Sequence, residues 1–130
     1  MQWQPRSPRL ARLPLSGRPA TTNARASSPA PSRTREVGRL LVADRGWTDA
    51  QFECLDSLWT KESGWRWEAN NGSSGAYGIP QALPGSKMAS IDSDWATNPI
   101  TQIKWGLQYI SNRYGTPCSA WAKSRASNWY

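Results

Sequence analysis

Eight of the nine tryptophans lie between residues 47 and 129, whereas the first 39 residues carry eight arginines against a single acid, Glu36. Hydrophobic residues make up only 38% of the chain, low for a packed globule unless they are gathered in one region. The partition leaves one stretch, of about 90 residues, that can bury a core, and it is the length of one small domain. The preceding stretch, rich in Pro, Ser, Ala and Arg, has no apolar period of 2 or 3.6 and cannot offset its ordering entropy by burial. Residues 1–36 are therefore expected to form a disordered tail or linker and residues 37–130 a folded domain.

Charge follows the same division. The net +7 sits in the N-terminal third, because residues 40–130 hold eight basic and eight acidic side chains. A pI near 10 ordinarily suggests phosphate partners, but here that reading reaches only the tail. Its arginines fit a solvated linker, or contact with an acidic wall polymer, a membrane or nucleic acid; no specific nucleic-acid partner is expected. The tail lacks the continuous apolar run of a secretory signal, and no segment has the ~20 apolar residues of a membrane span.

Cys54 and Cys118 stand 64 residues apart without a CxxC, and the chain has no histidine, so neither a metal site nor a cofactor is expected. The two fit a disulfide, which favours an extracytoplasmic location, or else a pair of buried thiols.

Thr48 and Gln51 have capping-box spacing, so a helix is expected from Asp49 to Ser63, stopped by Gly64. Along it Phe52, Leu55, Trp59 and Glu62 recur at i, i+3, i+7 and i+10, which places a carboxylate at the end of an apolar stripe. Partial desolvation there raises its pKa toward a range useful to a general acid, although many glutamates at helix ends are simply solvated. A Gly- and Asn-rich loop or short hairpin follows. Its Trp65, Trp67 and Tyr77 have no helical period and could offer flat faces to sugar rings. Asn98 and Pro99 open a second helix that Gly115 and Pro117 close, with Ile100, Ile103, Leu107, Ile110 and Tyr114 as its core stripe. Trp105 and Tyr109 share an adjacent face, available to a cleft or to the C-terminal segment.

Glu62-Ser63-Gly64, then Gly75-Ala76-Tyr77-Gly78-Ile79-Pro80-Gln81, then Asn98-Pro99 and Gly106-Leu107-Gln108-Tyr109-Ile110 together resemble the lysozyme-like domain of soluble lytic transglycosylases. Resuscitation-promoting-factor and goose-type lysozyme domains are related to it. The resemblance covers residues 40–130. It implies a mainly α, α+β lysozyme-like fold with a loop-lined glycan groove, and a secreted or cell-wall-associated monomer acting on peptidoglycan glycan strands. The implied reaction cuts the MurNAc-β-1,4-GlcNAc bond and closes a 1,6-anhydro ring, with Glu62 as acid and then base. Ser63, Tyr77, Gln81 and Tyr109 would contact substrate. Ala120-Trp121-Ala122 stands where many members have Ala-Tyr-Asn, and Ile79-Pro80 replaces the usual Leu-Met. A hydrolase would need a second carboxylate, for which Asp92 and Asp94 are candidates, and a glycan-binding module would need none.

Overall fold

A computed structural model describes residues 30–130, and within them the chain is mainly helical: α1 (Pro31–Asp44), α2 (Asp49–Ser63), a 3-10 helix (Gly85–Ser90), α3 (Pro99–Arg113) and α4 (Pro117–Ser127). Residues 1–29 lie outside the described residues, so most of the expected tail is not addressed. No strand is present among the described residues. The loop between α2 and the 3-10 helix holds only two isolated antiparallel bridges, Asn70 with Tyr77 and Tyr77 with Ala82.

The helix expected at Asp49–Ser63 is α2. Gly64 ends it in the left-handed conformation, φ +63°, that a residue without Cβ adopts freely. Thr48 is the N-cap but makes no side-chain cap bond. Gln51 accepts instead from the Cys118 backbone N–H at 2.9 Å, so the anticipated capping box is given over to a long-range contact. Phe52, Leu55, Leu58 and Trp59 of α2 are buried with Ile103, Leu107 and Ile110 of α3, with Val42, Trp65, Ile79 and Ala120 completing the core. Asn98 caps α3 by accepting from the Ile100 N–H at 2.9 Å. Ile100 itself departs from the expected stripe and is 43% exposed, because the first turn of α3 turns Thr101 and Gln102 inward instead.

Pro117, expected only as a stop, is also the first residue of α4, whose cap is Thr116. Cys54 and Cys118 form a disulfide with Cα atoms 4.9 Å apart, tying the middle of α2 to the first turn of α4.

The boundary expected at residue 36 is corrected by α1, which starts at Pro31 and takes in the last six residues assigned to the tail. The reason is long-range. The buried Thr34 hydroxyl lies 2.7 Å from the Trp65 carbonyl, and Arg35 grips Asp56 with two N–H groups at 2.7 and 2.9 Å. Gly38 lets the helix approach the Trp65 ring, where a Cβ would come within 2.7 Å. Arg39 lies over the Phe52 ring, 4.4 Å from its centroid. Arg33 and Arg35, counted with the tail, therefore belong to this helix together with Arg39.

Asp56 joins these parts, since it also accepts from the Trp65 indole N–H at 2.9 Å. The Arg35 hydrogen bonds hold its carboxyl below the usual aspartate range against the opposing effect of burial. Asp56→Ala is expected to cost roughly 2–3 kcal/mol in chemical denaturation, through the lost ionic bonds and the orphaned indole N–H. Because the folded pKa is depressed, the Asp56 contribution is present above the unfolded aspartate pKa and is lost as pH falls through the folded value. The gap between parent and variant should narrow accordingly in acid.

Candidate functional site

Glu62 occupies the last turn of α2, where its stripe meets the following loop, and it is half-buried. Burial raises its pKa above the ordinary glutamate value, and the charge of neighbouring Lys61 offsets this only in part. Lys61 points elsewhere: its ammonium bonds the Ser124 carbonyl at 3.0 Å and the Ser124 hydroxyl at 2.9 Å. No salt bridge engages Glu62 among the described residues.

Three depressions run in series. The first, about 410 Å³, is lined by Glu62 together with Arg66, Asn70, Asn71 and Gln81. The second, about 90 Å³, shares Gln81 and adds Lys87, Trp105, Tyr109 and Tyr130. The third, about 520 Å³, shares Trp105 and Tyr109 and adds Gln108, Asn112 and Arg113. Each shares a lining residue with the next, and the three are called the trough below; Glu62 is the only carboxylate among their lining residues.

Gln81 fits its expected place at the wall beside Glu62. Held at φ +56°, it donates its amide nitrogen to the Ala69 and Gly78 carbonyls at 3.1 and 3.0 Å, so its Oε1 remains as an acceptor. Tyr109 also lines the trough, stacked on Trp105 with centroids 5.2 Å apart and planes 13° from parallel. Of the two alternatives open for this pair, the structure takes both, because the Tyr130 ring from the C-terminal segment packs edge-on against Tyr109.

Two expected contact residues are tied into the fold. Ser63 lines the first depression, but its hydroxyl is 2.8 Å from the Ile79 carbonyl and accepts from the Trp65 N–H at 3.2 Å, so it clamps the helix end to the loop and has no bond to Glu62. Tyr77 donates its hydroxyl to the Ala96 carbonyl at 2.7 Å and sets its ring edge-on to Trp95; it anchors the loop and is absent from the trough walls. The loop tryptophans are corrected too. Trp65 is 1% exposed, with φ +62° turning it back into the core, and Trp67 packs against the core edge. The flat aromatic ledge comes from α3 instead. Asp92 and Asp94 stay outside the trough. Asp94 accepts from Thr101 at 2.6 Å and Asn98 at 2.8 Å, bonds that depress its pKa and fix the start of α3.

Two further residues build the site without a strong signal in the sequence. Gln102, fully buried, accepts from the Ile79 N–H at 2.9 Å and donates to the Trp67 and Trp95 carbonyls at 3.1 and 2.9 Å, holding both ends of the loop to α3. Its only sequence signal is a long polar side chain directly beside an apolar stripe. Gln102→Leu strands the buried Ile79 N–H and two half-buried carbonyls and is expected to cost roughly 2–3 kcal/mol, read from a shifted denaturation midpoint. Tyr130 follows a short helix and has no periodic context. Its hydroxyl accepts from the Trp59 indole N–H and donates to the Pro80 carbonyl, both at 2.9 Å. Burial raises its pKa strongly, and the nearby Glu62 charge adds to the effect, so it stays a neutral phenol.

Among known proteins, no family model, no curated protein and no solved structure matches this chain.

Proposed function

We propose that the chain is a lytic transglycosylase with a lysozyme-like arrangement, cleaving the MurNAc-β-1,4-GlcNAc bond of peptidoglycan. The observation that carries this reading is Glu62: the only carboxylate in the trough, half-buried, unpaired among the described residues and with its pKa raised by burial. A carboxyl so placed keeps its proton nearer neutral pH and can deliver it to a glycosidic oxygen. Retaining and inverting glycosidases ordinarily need a second carboxylate as nucleophile or base. The transglycosylase reaction does not. The acetamido group of the muramoyl sugar stabilises the oxocarbenium-like centre, Glu62 then removes the proton of the C6 hydroxyl, and that oxygen closes the 1,6-anhydro ring.

The remaining trough residues suit this substrate. The Trp105–Tyr109 ledge offers an apolar face to a pyranose ring, and the amides of Gln81, Gln108 and Asn112 suit hydroxyl and acetamido groups. The disulfide is in keeping with a secreted or wall-associated life. Mass spectrometry of peptidoglycan digested with purified protein tests the proposal. Anhydro-muramoyl ends are expected; reducing muramic ends would make it a hydrolase, and absence of released fragments with retained glycan binding would make it a binding module.

A further inference from the structure

The trough carries cations for which a neutral saccharide has no use. Charge is balanced over residues 40–130, yet the trough walls include Lys61, Arg66, Lys87 and Arg113 against Glu62 alone. Lys61 is committed to Ser124. The ion pairs among the described residues are made by Arg35 and Arg39, so Arg66, Lys87 and Arg113 have no carboxylate partner there. Arg66 uses its Nε on the Ser63 carbonyl at 3.4 Å, and Arg113 uses its Nε on the Tyr114 hydroxyl at 3.2 Å. Each keeps its two terminal amino groups for an outside acceptor. Lys87 is exposed on the 3-10 helix. The first depression thus holds Arg66, the second Lys87 and the third Arg113, which also lies over the Tyr114 and Trp129 rings: one cation without a carboxylate partner in each.

A β-1,4-linked N-acetylhexosamine backbone bears only hydroxyls and acetamides. The carboxylates of a peptidoglycan strand belong to the peptides attached through the lactyl ethers of its muramoyl sugars, and these recur at every second sugar. Resting on the cleavage reading above, we propose that Arg66, Lys87 and Arg113 are specificity residues that select peptide-bearing strands by pairing with the peptide carboxylates. One such cation in each depression offers a partner to more than one peptide carboxylate of a bound strand. Single-stranded nucleic acid also combines anions with stackable rings, but it sets a phosphate at every unit, including beside Glu62, where a carboxylate repels it.

The test uses the full chain carrying Glu62→Gln, so that binding is measured without turnover. Soluble peptide-bearing strands are compared with the same strands after carbodiimide coupling to methylamine, which converts their carboxylates to neutral amides. Binding to the native strands is expected to be roughly tenfold tighter, the sum of three solvent-exposed ion pairs, and to weaken with salt. Adding Arg66→Gln, Lys87→Gln and Arg113→Gln should lower the ratio severalfold. The arginines of residues 1–29 are present in both proteins and cancel in the comparison. Equal binding of native and amidated strands by the parent, or an unchanged ratio in the triple variant, overturns the inference. So does a single-stranded DNA oligonucleotide that binds as tightly as the native strands and loses that affinity in the triple variant. Fragment release by the Glu62 protein is followed on the same native strands. A binding preference without release supports this inference while overturning the cleavage reading.

Discussion

Glu62→Gln is expected to lower the release of anhydro-muramoyl fragments by about 10²–10⁴-fold, the range a positioned general acid contributes. The glutamine keeps the shape and an acceptor oxygen but has no proton to transfer, so strand binding should survive where turnover does not. The same substitution should raise the melting temperature near neutral pH. Burial raises the folded pKa of Glu62, so the folded state holds a proton that the unfolded chain releases as pH rises. No penalty exists below the unfolded glutamate pKa; it builds as pH climbs toward the folded pKa and is complete above it. Glutamine never carries the charge, and its thermal advantage should therefore vanish in acid. A variant as active as the parent would remove Glu62 from the chemistry. A thermal gain equal at all pH values would remove desolvation as the cause of its raised pKa.

Reduction of the Cys54–Cys118 bond is expected to produce the largest loss of stability. The bond closes a loop across a sequence separation of 64, which in the chain-entropy account restricts the unfolded state by roughly 4 kcal/mol. For a domain of this size that is a large share of the net stability and corresponds to a fall in melting temperature of about 15 °C or more. The loss should reach the site, because α4 carries the Ser124 partner of Lys61, beside Glu62 on the last turn of α2. Calorimetry with and without reductant, alongside Cys54→Ser with Cys118→Ser, measures it. A shift of only a degree or two would mean that the contacts between α2 and α4 suffice without the bond.

The stripe Phe52, Leu55, Trp59, Glu62 set the carboxylate at the boundary between core and solvent, and the structure finds it half-buried there. Local chemistry also marked Gly64 as the end of α2 and Asn98 as the cap of α3, since both act within a turn of their own position. The start of α1 was not legible. Its first turns, Pro31-Ser32-Arg33-Thr34-Arg35, have little apolar surface of their own, and they are held by Trp65 and Asp56, 31 and 21 residues away along the chain.

The tryptophans illustrate the same divide. That the residues beyond 39 must make a small aromatic core follows from composition, because few other large side chains are available there. Which tryptophan fills the core and which borders the trough depends on partners that periodicity does not encode. Trp65 goes inward because Asp56 takes its indole N–H and its backbone turns through φ +62°, whereas Trp105 is left at the surface beside Tyr109. The sequence by itself determined the helices α2 and α3, the pairing potential of two isolated cysteines and a carboxylate at the end of an apolar stripe, all properties of short-range pattern or of simple count. Only the tertiary structure decided where the fold begins, which hydroxyls are spent on backbone, and which cations stand along the trough, because each is set by contacts between residues far apart in the chain.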